Sequence, residues 1–289
     1  MNWARDLQNA IDYIEEHLTD DIDYNETAKK ACMSNFYFQR IFGILCGYSL
    51  GEYIRLRRLT LAGSELLNSD EKVIDIAMKY GYDSPESFSR AFLKFHGITP
   101  SQAKKDGAKL NHFSHLSVNL TLKGGSIMNY KIINANEFTV LEKAEQHSIV
   151  DEENKNTIPE FWSRSKNDGT INTIVKSLTG NDEVLGICYN NPHSDLKTFE
   201  YAIAGKCKSN QTAPEGFRIM TIPARTWIEF ECIGAMPEAI QEMWHKICSE
   251  FFPTSNYKPT YEMDIEVYPN GDMESENYIS YIRVPVEEI

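Results

Sequence analysis

Residues 28–42 read Ala-Lys-Lys-Ala-Cys-Met-Ser-Asn-Phe-Tyr-Phe-Gln-Arg-Ile-Phe. The stretch predicts a short helix, a turn at Cys32 and Met33, and a second helix capped by Ser34, because a serine hydroxyl can accept from a first-turn amide. Helical spacing then places Phe38, Ile41, Phe42 and Leu45 on one side of the second helix. Two short helices joined by a tight turn are typical of a helix-turn-helix, although an ordinary amphipathic hairpin has the same pattern.

The same pattern recurs about 50 residues later. Ser34 and Ser84 are 50 positions apart, and so are Arg40 and Arg90. In the second copy Pro85 follows the capping serine, which suits the first turn of a helix. The second turn contains a glycine where the first has Cys32, and this difference leaves the geometry of the first turn open. A repeat of the whole motif favours a DNA-binding function much more strongly than a single copy.

A long helix between the two copies is expected to set the distance between them. Ser49 can cap a helix from Leu50 to about Asn68, and some 19 residues span roughly 28 Å. Successive major-groove openings lie about 34 Å apart, so one chain could read two adjacent grooves. Gln39 suits adenine, and the two arginines suit guanine or phosphate. The predicted DNA-binding residues are Asn35, Phe36, Gln39, Arg40, Pro85, Glu86, Ser89 and Arg90. Of these, Asn35, Glu86 and Ser89 are expected at the exposed starts of the two helices.

The charge balance argues against a simple basic DNA binder. The 289 residues have a formal net charge of −13, whereas many DNA-binding domains are strongly basic. Residues 1–107 contain 13 basic and 16 acidic side chains, and residues 108–289 contain 16 and 26. The excess negative charge therefore belongs mostly to the second part, and a locally basic face of the first part could still bind phosphate.

Composition excludes several other protein classes. With 42% hydrophobic residues the chain can form cores and is not disordered. It has no stretch of about 20 apolar residues and no apolar signal-peptide core, so we predict a cytoplasmic protein that does not contact membranes. The six cysteines form no Cys-x-x-Cys pair, and the closest histidines, His112 and His115, lack further ligands nearby. We therefore predict no metal site and no cofactor.

Three segments of the first domain carry a family resemblance. They are residues 39–42 (Gln-Arg-Ile-Phe), 51–59 (Gly-Glu-Tyr-Ile-Arg-Leu-Arg-Arg-Leu), and 88–95 (Phe-Ser-Arg-Ala-Phe-Leu-Lys-Phe) with 97–100 (Gly-Ile-Thr-Pro). In this order they resemble the DNA-binding domain of AraC/XylS-type transcriptional regulators. The resemblance implies a monomeric, bipartite reader of double-stranded promoter DNA with recognition helices at about 35–45 and 85–95, and RNA polymerase as a partner.

Beyond residue 126 the hydrophobic pattern changes from helical to alternating. Two predicted helices, near 159–166 and 237–251, each follow two strands and precede two more. The predicted strands are 129–134, 138–146, 184–190, 198–205, 217–223, 226–233, 261–268 and 277–284. We predict a multidomain chain: an all-α double helix-turn-helix domain (1–107), a linker with a flexible Gly-Gly joint (108–126), and an α+β domain of two β-β-α-β-β halves (127–289).

The second domain resembles the GyrI-like effector-binding domain. The resemblance rests on segments such as 222–230 (Ile-Pro-Ala-Arg-Thr-Trp-Ile-Glu-Phe) and 261–269 (Tyr-Glu-Met-Asp-Ile-Glu-Val-Tyr-Pro), and it implies that Glu266 is directed at a ligand. Alternation places Asp264, Glu266 and Tyr268 on one strand face. A carboxylate with aromatic walls suits a lipophilic cation. The candidate wall residues are Tyr268, Trp162, Tyr189, Tyr201, Trp227 and Trp244; the alternative is that these rings form a plain core and Glu266 faces solvent.

These observations predict a transcriptional regulator whose second domain binds a small effector and whose first domain reads promoter DNA. The sequence contains no catalytic motif of the hydrolase or phosphate-loop kind, so we predict no catalytic residues and no enzyme. Two alternatives remain open. Some GyrI-like domains are described as hydrolases, and such a domain could also sequester drugs without signalling to DNA. Neither activity requires a duplicated DNA-binding motif.

Overall fold

Seven helices form the first part of the chain in the computed structural model, which describes residues 3–105, 107–118, 127–149, 153–180, 183–190 and 198–288. They are α1 (Trp3–Glu16), α2 (Tyr24–Lys30), α3 (Asn35–Cys46), α4 (Leu50–Asn68), α5 (Val73–Lys79), α6 (Pro85–His96) and α7 (Pro100–Ala103). The described residues fall into two compact units. One contains the residues up to Asn35 and from Tyr48 to 118, and the other contains Phe36–Gly47 together with 127–288. Nearly all of α3 therefore belongs to the second unit.

Local capping explains where the helices of the first unit begin. The Ser49 hydroxyl accepts a hydrogen bond from the Glu52 amide at 3.1 Å at the start of α4, and the Ser84 hydroxyl accepts from the Ser87 amide at 3.2 Å before α6. Thr99 forms a capping box at α7. These bonds pair amides that would otherwise lack helical partners, which confirms the predicted starts of the long central helix and the second reading helix.

The two turns of the repeated motif have the same backbone conformation. Cys32 has a φ of 55° and Gly81 a φ of 77°, both in the left-handed region. In each turn the amide of this residue and the next amide donate to helical carbonyls at 3.0 Å. The first motif therefore closes its turn as the second does, with a cysteine in a conformation that favours glycine.

The first unit is built around α4. Leu59, Ala62 and Leu66 of this helix pack with Ile76 and Ala77 of α5 and with two rings of α6, Phe88 and Phe92. Nearer the N-terminal end of α4, Arg57 forms a bidentate ion pair with Glu15 of α1. The distances from Nε to Oε1 and from Nη2 to Oε2 are both 2.8 Å. Both side chains of this pair are almost covered.

Residues 107–118 lie on the first unit although they belong to the predicted linker. Arg57 donates to the Phe113 carbonyl at 2.6 Å, and the Val118 amide donates to Gln8 Oε1 at 2.7 Å. The described part of the linker is thus held by side chains of α1 and α4. Residues 119–126, including the predicted glycine joint, lie outside the described residues.

The second unit contains a mainly antiparallel sheet. Its strands are β1 (Tyr130–Ala135), β2 (Phe138–Ser148), β3 (Glu183–Tyr189), β4 (Thr198–Lys206), β5 (Arg218–Ile222), β6 (Arg225–Ile233), β7 (Tyr257–Pro259), β8 (Met263–Pro269) and β9 (Ile279–Glu288). Its own helices are α8 (Asn154–Asn167), α9 (Thr170–Ser177) and α10 (Glu238–Lys246), which continues as a π-helical turn (Ile247–Phe251) into α11 (Phe252–Thr254). The eight predicted strands correspond to β1–β6, β8 and β9, whereas β7 and α9 were not predicted.

The strand order shows that this unit consists of two equivalent halves. The sheet runs β1-β6-β9-β8-β3-β4-β2-β5, and β7 pairs with β9. Exchanging β1, β2, β3 and β4 with β5, β6, β8 and β9 reproduces the same order in reverse. The predicted α+β fold with two β-β-α-β-β halves is confirmed. The pseudo-twofold axis passes between β3 and β8, the two central strands.

The two faces of the sheet bury different side chains. One face carries a core that includes Leu185, Ile187, Trp227, Ile265 and Val267. The other carries Cys188, Tyr201 and Ile203 with residues of α8 and α9. Among the described residues, no helix has the length and apolar character that a membrane span requires.

Candidate functional site

Glu266 lies at the centre of the second unit. It is on β8, directly opposite Gly186 of β3, where the two halves meet. Its Oε2 atom accepts hydrogen bonds from the hydroxyls of Tyr201 at 3.1 Å and Tyr268 at 2.9 Å. Its Oε1 atom accepts from Nε1 of Trp244 at 3.3 Å. Three aromatic residues from β4, β8 and α10 thus hold one carboxylate in a defined orientation.

A further ring completes the aromatic wall. Trp162 of α8 donates from Nε1 to the Tyr201 hydroxyl at 3.1 Å, and its ring meets the Tyr268 ring edge-on with centroids 5.1 Å apart. Burial raises the pKa values of Tyr201 and Tyr268 well above the usual range, and the nearby Glu266 carboxylate acts in the same direction. Both phenols therefore stay protonated and remain donors to the carboxylate.

Gly186 makes room for this arrangement. A Cβ atom at position 186 would lie 2.1 Å from the Tyr201 hydroxyl and 3.3 Å from Glu266 Oε2. Any side chain there would displace the tyrosine from the carboxylate, since real contacts of Cβ are not that short. Sequence reasoning missed this residue, because a glycine inside an apolar strand gives no indication of which partner strand faces it.

A second carboxylate lies on the same strand face. Asp264 is 4% exposed and forms an ion pair with Arg40 of α3. The Arg40 guanidinium also lies over the Trp244 ring, 4.4 Å from its centroid. Burial raises the pKa of Asp264 to about 6 even though Arg40 acts in the opposite direction. Trp244 therefore makes two contacts in the site: its Nε1 atom donates to Glu266, and its ring packs against the Arg40 guanidinium.

Two predicted wall residues lie elsewhere. Trp227 is buried in the core of the opposite sheet face. Tyr189 packs against the same core, and its hydroxyl donates to Glu142 Oε2 at 2.5 Å. The prediction that both rings surround Glu266 is wrong, because side chains alternate along a strand and Tyr189 points away from the face of Cys188. The structure brings Glu266 together with Trp162, Tyr201, Trp244 and Tyr268.

The predicted reading residues of α3 are covered rather than exposed. Asn35 and Phe36 are each 8% exposed, and Gln39 and Arg40 are half-buried. The Phe36 ring lies 4.6 Å from the ring of Phe199 on β4. The expectation of an exposed helix start is therefore wrong for α3 in this structure. Asn35 donates from Nδ2 to Asn25 Oδ1 of the first unit at 3.4 Å, and the residues from Phe36 onwards pack within the second unit. Their contact with DNA stays a prediction.

The equivalent residues of α6 lie at the surface. Glu86 and Arg90 are exposed, and Pro85 and Ser89 are partly exposed. Pro85 occupies the first turn, as predicted. The two copies of the motif thus differ: the residues predicted to contact DNA are at least partly exposed in the second copy and largely covered in the first.

Two family models match successive parts of the chain. Residues 27–106 match a family model described as a helix-turn-helix domain. Residues 131–286, more than half of the chain, match the model for Cass2, an integron-associated effector binding protein.

Two relatives and one solved structure illustrate the similarity. The chain is 41% identical over 101 residues to the regulatory protein SoxS of Salmonella typhimurium, a match that covers 35% of this chain and 94% of SoxS. It is 40% identical over 95 residues to the transcriptional activator AarP of Providencia stuartii, covering 33% of this chain and 70% of AarP. A structure of SAV2435 bound to tetraphenylphosphonium is 23% identical with a TM-score of 0.49, covering 55% of this chain and 94% of that one. The chain therefore belongs to the AraC-type helix-turn-helix transcriptional regulators and carries a C-terminal effector-binding domain of the Cass2 and GyrI-like family.

Proposed function

We propose that the chain is a sequence-specific regulator that reads two adjacent major grooves and is controlled by a small lipophilic cation bound at Glu266. The observation that carries the proposal is a carboxylate held by three aromatic donors in the domain that follows the DNA-binding motifs.

The surroundings of Glu266 favour a cation over an anion or a neutral sugar. Glu266 and Asp264 supply two carboxylates on one strand face, and Trp162 and Trp244 supply ring faces and edges near them. A cation over an aromatic face gains about 0.5–2 kcal/mol, and more when water is excluded. Aryl groups on the ligand would pack against the same rings, so the site favours a cation with apolar substituents.

The effector proposal is tested with tetraphenylphosphonium, a lipophilic cation, by isothermal titration calorimetry. Glu266→Gln keeps the shape of the side chain and removes its charge, so we expect about 10- to 100-fold weaker binding, the worth of one charged contact. Glu262→Gln is a matched control because Glu262 is exposed. Neutral triphenylphosphine oxide should bind weakly to all variants. Equal affinity of Glu266→Gln and wild type would contradict the proposal, and cleavage of a bound ligand would favour the hydrolase alternative.

Two-groove reading is supported by the length of α4 and the exposure of α6. The 19 residues of α4 span about 28 Å, close to the groove spacing of about 34 Å. Arg90 is exposed on α6 and suits guanine or a phosphate. The proposal also requires α3 to present Gln39 and Arg40 to the DNA.

The DNA proposal is tested on a duplex selected from genomic fragments, by fluorescence anisotropy. We expect Arg90→Ala to lose about 1–3 kcal/mol of binding free energy if it contacts a base, with relaxed specificity at that position, or to lower the salt slope by about one if it contacts phosphate. Arg164→Ala removes the same charge from an exposed position of the second unit and should have no effect. Unchanged binding by Arg90→Ala would exclude the second motif as a reader.

A further inference from the structure

Arg40 has the chemistry of the effector that the site is proposed to take. Its guanidinium is a permanent planar cation. In the structure this cation is paired with Asp264 and stacked on Trp244, the same tryptophan that donates to Glu266. Glu266 is also close enough to favour the charged guanidinium electrostatically. A residue of the chain itself therefore occupies the carboxylate and aromatic surroundings described above.

The pair is well shielded from solvent. The side chain of Arg40 is 17% exposed and that of Asp264 is 6% exposed. Removing either partner from such a pair leaves a buried charge without compensation, which is strongly unfavourable. Asp264 Oδ1 has no hydrogen-bond partner of its own among the described residues. If Arg40 left, a second cation would have to replace it or the carboxylate would have to take up a proton.

Two neighbours of Arg40 on the same side of α3 strengthen its position. The Phe36 ring joins the apolar cluster of Phe161, Phe199 and Tyr201, and the Tyr37 ring lies 4.2 Å from the ring of Tyr261. Tyr201 is one of the three donors to Glu266, so the cluster that contains Phe36 includes a residue that lines the cation site. An aryl-substituted cation would compete with α3 for these ring surfaces as well as for the charge.

We propose that Arg40 is a built-in occupant of the effector site, and that a cationic effector releases α3 by taking the place of its guanidinium. This inference rests on the proposed function at Glu266 and adds its regulation. Because α3 is also the predicted first reading helix, its release would free Gln39 and Arg40 for DNA. Effector and DNA would then bind cooperatively, since each favours the state in which α3 has left the site.

The inference sets the direction of two measurable effects. The apparent affinity of an effector that must first displace α3 equals its intrinsic affinity multiplied by the fraction of molecules in which the site is open. We expect Arg40→Met, which keeps an apolar stem without the charge, to bind tetraphenylphosphonium at least about 10-fold more tightly than wild type. Arg40→Lys keeps the cation but loses the planar fork, so its affinity should lie between the two.

The second effect needs no substitution and guards against a variant that fails to fold. Hydrogen exchange of the α3 amides is measured in the full-length wild type with and without tetraphenylphosphonium. We expect exchange in residues 35–46 to rise when the cation binds, while β8 becomes more protected. A separate variant, Asp264→Asn, removes the charged partner of Arg40 and should give faster exchange in α3 without any cation; unchanged α3 exchange in it would contradict the role of the ion pair.

The outcomes separate this inference from the proposed function. Tighter binding by Arg40→Met together with faster α3 exchange supports it. Equal affinity of wild type and Arg40→Met, with Glu266→Gln still weakened, overturns the occupancy of the site by Arg40 and leaves the effector site intact. Unchanged α3 exchange on saturation with the cation also overturns it. Failure of Arg40→Met and wild type alike to bind the cation overturns both proposals.

Discussion

Cys32 offers a sharp test of the repeated motif because it holds a glycine conformation without being glycine. Its φ of 55° matches the 77° of Gly81 in the second turn, and its side chain is exposed. The left-handed conformation costs a non-glycine residue about 1–2 kcal/mol. Glycine avoids this cost, but its greater conformational freedom in the unfolded chain offsets about 0.4–1 kcal/mol of the gain. We therefore expect Cys32→Gly to stabilise the chain by about 0.5–1 kcal/mol relative to Cys32→Ala.

The assay is urea unfolding of full-length variants followed by circular dichroism and hydrogen exchange in α2. Comparing glycine with alanine isolates the backbone, because both substitutions remove the thiol. Gly81→Ala is the converse change: it introduces the same backbone strain, and its Cβ would lie 2.4 Å from Nη1 of Arg58, whose guanidinium must then shift from the Leu18 and Asp20 carbonyls. It should therefore destabilise the first unit by about 1–2 kcal/mol. If Cys32→Gly were no more stable than Cys32→Ala, the equivalence of the two turns would be refuted.

Three further predictions follow from buried polar contacts. Gly186→Ala should push Tyr201 away from Glu266 and weaken tetraphenylphosphonium binding about 10-fold in titration calorimetry. Gly205→Ala is the control, because its Cβ would crowd Leu178 and Ile174 instead, and it should lower only the midpoint of urea unfolding. Arg57→Met should cost about 3–5 kcal/mol in urea unfolding, because it leaves the covered Glu15 carboxylate without its positive partner and with the Tyr53 hydroxyl as donor. Arg55→Met, whose pair with Glu52 is exposed, should cost under about 1 kcal/mol. Equal costs would contradict the burial argument. Burial lowers the pKa of His96 below the usual 6.5, so the unfolded chain takes up the proton first, and the first unit should keep full stability above about pH 6.5 and lose it as the pH falls. His96 Nε2 lies 3.0 Å from the Leu59 carbonyl of α4, and the Asn111 amide donates to Nδ1 at 3.1 Å. Exchange of the α4 amides at pH 7.5 and 5.5 therefore measures the loss, and His96→Gln should reduce the difference. Stability that rose towards acid pH would contradict the lowered pKa of His96.

The features that local chemistry determines were predictable from the sequence. Ser49, Ser84 and Thr99 mark helix starts because a hydroxyl at the cap position serves a nearby amide in any fold. The alternation of apolar and polar residues in the second domain predicted its strands for a similar reason. The repeated order of two strands, one helix and two strands indicated that the domain has two halves. The missed elements, β7 and α9, are short and carry weak patterns.

Features that depend on distant pairing could not be predicted. Alternation shows that Tyr189 and Cys188 face opposite ways, but only the register of β3 against β8 decides which of them shares a face with Glu266. The same register places Gly186 opposite Glu266, and the separate pairing of β3 with β4 places Tyr201 opposite Cys188. The position of Arg40 beside Asp264 joins residues 224 positions apart, and nothing in α3 itself identifies β8 as the strand that Arg40 meets.

The covered face of α3 also explains why helix patterning alone misjudged it. Phe38, Ile41 and Phe42 form the expected apolar side and are fully buried. The other side was expected to contact DNA through Asn35, Phe36, Gln39 and Arg40, yet Phe36 is buried there, and its neighbour Tyr37 is buried as well. Aromatic residues on the polar side of a reading helix were the available signal, since a helix with two apolar sides needs two partners.

The central claim is that a cation at Glu266 controls DNA binding, and one titration tests it most directly. The dissociation constant for a duplex selected from genomic fragments is measured by fluorescence anisotropy with and without saturating tetraphenylphosphonium, for wild type and for Glu266→Gln. We predict that the cation, at a concentration that just saturates the wild type, tightens DNA binding by the wild type about 5- to 150-fold, the usual range of coupling between sites. At the same concentration the shift of Glu266→Gln should be much smaller, because this variant binds the cation more weakly. An unchanged wild type, or equal shifts in both proteins, would contradict the claim.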